Sequence, residues 1–136
     1  MSIKMSINWN GIVVHHTASH DVSANEIDRW HKERGFNEVG YHFVIRQNGD
    51  IEPARNFEKA GAHARTGAKQ SRNRTHLGIC LTGKFTEHPP TVEQINSLIK
   101  LVKGCQSRWD IKTVEKHHDQ CPGPHFPWTF FKEAIK

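Results

Sequence analysis

No apolar run in the sequence approaches the ~20 residues that a membrane-spanning helix needs. The opening segment, MSIKMSINWNG, has no apolar stretch of the kind that drives secretion, which predicts a chain without a secretory leader. Cysteine is sparse and odd in number, at three. That argues against a disulfide framework in such a chain. There is no internal repeat and no low-complexity segment; Glu87-His88-Pro89-Pro90 reads only as a loop. What remains is 136 residues, 35% hydrophobic and 24% charged, with four Trp and seven Phe. This length suits one domain, and the aromatic content is that of a folded chain. The net charge of +5 favours encounter with anionic polymers: nucleic acid, membranes or bacterial cell wall. Charge alone does not choose among them.

Hydrophobic patterning predicts an α/β domain. Residues 11–16 (GIVVHH) read as a buried strand. Ser23, with Glu26 at the capping-box position, starts a helix that carries Ile27, Trp30 and Arg34 and stops at Gly35. Residues 40–46 and 51–55 flank Asn48-Gly49, a strong hairpin signal; Pro53 puts the second arm at a sheet edge. Residues 56–76 read mostly as loop and 77–82 (LGICLT) as a strand. Thr91 and Gln94 cap a helix with Ile95, Leu98, Ile99, Val102 and Cys105 on its apolar face. Residues 111–116 form a last strand that leads into His117, and Pro127 opens a final helix. The expected fold is a single domain: a mixed central sheet of about five strands with helices packed on its faces. The first nine or so residues are expected to be a peripheral tail.

Histidine is the abundant residue, at 11. His20, His31, His88 and His125 read as ordinary surface histidines, and Cys80 and Cys105 as small core residues. Three residues stand apart. His15 ends the first strand, while His117 and Cys121 flank the end of the last. Two imidazoles and one thiolate with an open fourth position make a known catalytic zinc arrangement, and this donor set suits Zn²⁺ rather than Mg²⁺ or Ca²⁺. Adjacent strands can bring positions 15 and 117 together. By itself, however, His-x-x-x-Cys spacing does not specify zinc.

The blocks IVVHHTAS, WHKERGFNEVGYHFVIRQNGDI, GAHA, NRTHLGICLTG and HHDQCPGPHFPW follow one another along the chain. In this order they resemble the zinc-dependent N-acetylmuramoyl-L-alanine amidases, which include small phage enzymes and the animal peptidoglycan recognition proteins. The resemblance spans roughly residues 10–131. It implies one Zn²⁺ per chain, held by His15, His117 and Cys121, with His16 pointing to the other side of the strand. It implies that Tyr41 lies beside the metal and hydrogen-bonds the substrate or the attacking water. His63 matches a position near the cleft, and Asn73 one with a structural role. The sequence departs from the family in one place. Only His118, Asp119 and Gln120 separate His117 from Cys121, fewer than is usual there. No catalytic lysine carries over, and His118 competes with His117 as ligand. A five-residue segment reaches at most ~16 Å, ample for two ligands of one ion. The general acid is left open among His63, His118 and the zinc site itself. The loop basic residues Arg65, Lys69, Arg72 and Arg74 read as solvated, with contact to an acidic stem peptide as a weaker alternative.

The resemblance implies a phage endolysin that cleaves the amide between N-acetylmuramic acid and the L-alanine of the stem peptide. Peptidoglycan would be its partner, with no nucleic acid and no membrane, and it would act as a monomer. It would wait in the cytoplasm of the bacterial host until released to the wall, with no appended wall-binding domain. The rivals are a non-catalytic peptidoglycan-binding module, which loss of the Cys ligand would favour, and a phage regulatory protein that binds a polymerase.

Overall fold

The computed structural model describes residues 7–64 and 71–136. The elements are β1 (Gly11–His16), α1 (Ala24–Glu33), β2 (Phe43–Ile45), β3 (Ile51–Pro53), α2 (Ser71–Thr75), β4 (His76–Leu81), α3 (Val92–Arg108), β5 (Thr113–Lys116) and α4 (Trp128–Ala134). The five strands form one sheet in the order β3-β2-β4-β1-β5. Only β2 and β3 pair antiparallel; β2–β4, β4–β1 and β1–β5 are parallel, so the sheet is mixed.

Alternation along the strands divides the core between the two faces. Ile12 and Val14 of β1 and Leu77, Ile79 and Leu81 of β4 face Leu98 and Val102 of α3 and Phe131 of α4. On the opposite face Val44 of β2 packs with Val22, Ala24 and Ile27 around α1. Fully burying such a side chain is worth ~1.5–3 kcal/mol before entropy is counted. The parallel centre is buried on both faces, which explains why GIVV and LGICL are continuous rather than alternating apolar runs.

Local chemistry fixes the element ends. Thr91 and Gln94 make the complete reciprocal capping box of α3. At α1 only half of the expected box forms: Ser23 accepts from the Glu26 N–H, while the Glu26 carboxylate turns to Arg29 instead. Gly35 follows α1 with φ +94°, and Gly49 closes the β2–β3 hairpin with φ +92°. Pro53 lies in the edge strand β3, where no ladder hydrogen bond is needed from it.

Two expectations are corrected. The segment 56–76 contains a short helix, α2; its sequence SRNRT has no apolar period that could announce it. The first nine residues are not all peripheral. Trp9 is 1% exposed in the main core, and its indole N–H donates to the Phe57 carbonyl at 2.9 Å. Among the described residues no helix is long and apolar enough to cross a membrane.

Candidate metal centre and cleft

Parallel pairing sets the site. In the β1–β5 register Val14 lies opposite Lys116, so the next residues, His15 and His117, emerge side by side at the same edge. Their ring centroids are 4.7 Å apart. After β5 the chain makes a tight turn: the His118 N–H donates to the Cys121 carbonyl and the Cys121 N–H to the His118 carbonyl, both at 3.0 Å. This turn folds Cys121 back under His117, with its Sγ 3.6 Å from His15 Nδ1. One donor atom each from His15, His117 and Cys121 lie within 4.8 Å of one another. The short spacing therefore suits the site: three intervening residues are what this turn requires.

His118 is outside that group. Its ring is exposed, lies tilted against that of His117 with centroids 4.6 Å apart, and accepts the Gln120 N–H at Nδ1. His16 points to the opposite face as period-2 alternation dictates, and its Nδ1 accepts the Phe85 N–H at 3.0 Å.

Burial sets the protonation of the donors. It holds the His15 imidazole well below its ordinary value, with His63 and His117 adding to the shift. Burial, with His118 and Arg72, brings His117 down to about 4. Burial pushes the Cys121 thiol up to about 11, although the His16 backbone N–H favours its thiolate. Two neutral imidazoles and a buried thiol fit a soft, borderline cation; no carboxylate is present to favour a hard one.

A cleft of about 430 Å³ opens beside His117. Tyr41 forms one wall, its ring 5.0 Å from that of His15. Burial raises its phenol well above the ordinary value, with the Cys80 and Cys121 thiols adding to the effect, so the hydroxyl remains a donor at neutral pH. Cys80 pairs with His15 across β1 and β4, fully buried and beside Tyr41, yet it is not among the three grouped donors.

Behind the site, His63 Nδ1 lies 2.8 Å from His15 Nε2, and its Nε2–H donates to the His76 carbonyl at 2.9 Å. Both ring nitrogens are thus engaged inside the protein. His63 also lines the cleft, between Ala62 and Ala64, while its ring packs against that of His15. His42 is likewise structural, taking the Gly78 N–H at Nδ1 and giving its Nε2–H to the Lys59 carbonyl. Asn73 has the expected structural role, its Oδ1 accepting the N–H groups of both His63 and Ala64.

Several site contributors were missed from sequence. His31 forms part of the cleft wall, half-buried, its ring 5.5 Å from Tyr41 and its Nδ1 accepting the Gly40 N–H. The signal was its place one turn after Ile27, on the buried face of α1. Arg34 and Phe36 line the outer cleft. Arg72 is not a solvated loop cation: it pairs with Glu115 at 2.9 Å and donates to the Lys116 carbonyl, pinning the end of β5 that delivers His117. Arg65 and Lys69 lie outside the described residues.

The family model described as N-acetylmuramoyl-L-alanine amidase matches residues 5–124. The chain belongs to this amidase family. It is similar to the endolysin of Enterobacteria phage T3, 33% identical over an alignment of 130 residues that covers 90% of this chain and 83% of that protein. Among solved structures it is similar to the N-acetylmuramoyl-L-alanine amidase LysC of Clostridium intestinale URNW, with TM-score 0.85 and 34% identity over 99% of this chain and 93% of that one. Drosophila peptidoglycan recognition protein SD shares the fold at TM-score 0.79 and 20% identity, over 96% of this chain and 84% of that one. The amidase is therefore a peptidoglycan hydrolase rather than a binding module.

Proposed function

We propose that this amidase is a zinc enzyme of the phage endolysin type. It hydrolyses the amide between the lactyl group of N-acetylmuramic acid and the L-alanine of the stem peptide. The observation that carries the reading is the His15, His117 and Cys121 donor set, of which His117 lines a cleft walled by Tyr41. Bound there, zinc would supply Lewis-acid polarisation of the scissile carbonyl and make hydroxide available near pH ~7. The chain's own residues do the rest. Tyr41 donates its hydroxyl proton as a hydrogen bond to the charge developing on the carbonyl oxygen. His118, exposed beside His117, is placed to hand a proton to the departing amine. The carbonyl carbon gains the oxygen of water, the C–N bond breaks, and the alanine leaves with a free amino group. Likeness to phage endolysins supports storage in the host cytoplasm until release to the wall. A cleft and donor set within one chain support action as a monomer, and membership of the amidase family supports peptidoglycan, rather than nucleic acid or membrane, as the partner.

Mass spectrometry of digested peptidoglycan tests the bond. The expected products are glycan with free lactyl carboxylates and intact stem peptides that begin with L-alanine. Stem peptides still joined to muramic acid, with cuts elsewhere, would refute this reading.

The protonation states give a second expectation. At pH 7 the imidazoles of His15 and His117 are already bare, while the Cys121 thiol, at about 11, holds its proton. Zinc uptake should therefore release about one proton per ion, and apparent affinity should fall ~tenfold for each pH unit lowered. The fall steepens as pH approaches the His117 value of about 4, where protons also compete for that ring. Calorimetry in buffers of different ionisation enthalpy counts the protons. None released would remove Cys121 from the ligand set.

A further inference from the structure

The ring of His63 is held in one pose by features that have no other evident use. A Cβ on Gly78 would lie 2.6 Å from His63 Cγ, and one on Gly61 would lie 2.4 Å from its Cδ2. Two glycines thus leave a slot that the ring fills. Asn73 Oδ1 clamps the backbone at 2.8 Å from the His63 N–H and 2.7 Å from that of Ala64.

Within the slot the hydrogen bonds have only one consistent direction. The His76 carbonyl, 2.9 Å from His63 Nε2, can only accept, so this nitrogen carries the proton. The neutral ring then has a lone pair at Nδ1, which lies 2.8 Å from His15 Nε2. His15 Nε2 must donate there, and the remaining lone pair of His15 is on Nδ1. That is the nitrogen facing Cys121 Sγ at 3.6 Å.

We propose that His63 is a positioning residue: it receives the His15 Nε2–H, fixes that ring in the Nδ1-bare tautomer and stops it from turning, so that the correct lone pair meets the metal. The inference rests on the zinc reading above for its purpose, but not for its geometry. A backbone carbonyl stands at the end of the relay where many metal sites place a carboxylate. A partner of this kind is typically worth ~10–100-fold in metal affinity.

The test begins on metal-free protein with ¹⁵N-labelled histidine. A long-range ¹H–¹⁵N correlation at pH 7 should show His15 as a single tautomer, protonated at Nε2. In His63→Leu the same ring should become a tautomer mixture. Zinc competition against a chelator should show His63→Leu weakened ~10–100-fold. His63→Gln, whose amide can accept from His15 and donate to the His76 carbonyl, should recover most of that loss. The relay is overturned if wild-type His15 carries its proton on Nδ1, or if Leu and Gln weaken zinc binding equally. Should His63→Leu fail to fold, the wild-type spectrum alone decides. Should wild type bind no zinc, the metal reading fails while the spectrum still decides the relay.

Discussion

Cys121→Ser and His15→Ala should each lose the metal and, with it, hydrolysis of peptidoglycan. Each removes one of three donors that lie within 4.8 Å of one another, leaving two protein ligands where a stable zinc site needs three or four. The drop in affinity should exceed the ~10–100-fold that loss of an outer partner costs. Serine in place of cysteine keeps the size but substitutes a hydroxyl that ionises far less readily than a thiol. The buried position also leaves little room for water to take over as ligand. His118→Ala is the control. Its ring is exposed and outside the donor group, so zinc content should stay near one per chain. Atomic absorption after dialysis reads the outcome. Full occupancy in either ligand variant would sink the assignment. Metal loss in His118→Ala with retention in His117→Ala would exchange the two histidines.

Tyr41→Phe should keep the metal and lose the rate. The phenol is not among the grouped donors, and the ring that packs beside His15 and His31 remains. What disappears is one hydrogen-bond donor in a desolvated wall of the cleft. Burial keeps that hydroxyl protonated across the neutral range, so it can donate to a developing oxyanion. Loss of one such donor costs ~10²–10³ in kcat, about 2.7–4 kcal/mol. KM should move less, because the bond tightens mainly in the transition state. The short turn before Cys121 carries Asp119 and no lysine, so Tyr41 has no cationic helper from that turn. Turnover within about threefold of wild type on purified peptidoglycan, against the expected loss, would transfer the role to another cleft group, with His31 first in line.

Much of the local structure was legible because it depends on neighbours in the chain. GIVVHH and HLGICL are strands of the buried centre, Thr91 with Gln94 caps α3, and Asn48-Gly49 makes the hairpin turn. Period 2 alone put His15 and His16 on opposite faces. Where the reading failed, distant partners were responsible. The SRNRT helix has no apolar face of its own; Arg72 and Asn73 find their partners on β5 and around His63. Trp9 looks like part of a polar tail until the Phe57 carbonyl takes its N–H.

The sequence by itself determined the fold class, the resemblance to the amidases and the residue types able to hold a metal, because these follow from periodicity, turn chemistry and donor softness. Only the tertiary structure decided the geometry. The order β3-β2-β4-β1-β5 and the register that sets His15 beside His117 arise from pairings between distant strands, up to the 102 residues that separate Gly11 from Thr113, which no local propensity encodes. The same holds for the separation of two adjacent histidines, His117 at the metal site and His118 at the rim: a tight turn after β5 makes the choice. It holds again for His63, which sequence offered as a cleft residue and a candidate general acid. Its place behind His15 depends on a slot between Gly61 and Gly78, and the direction of its hydrogen bonds on a backbone carbonyl that happens to face it.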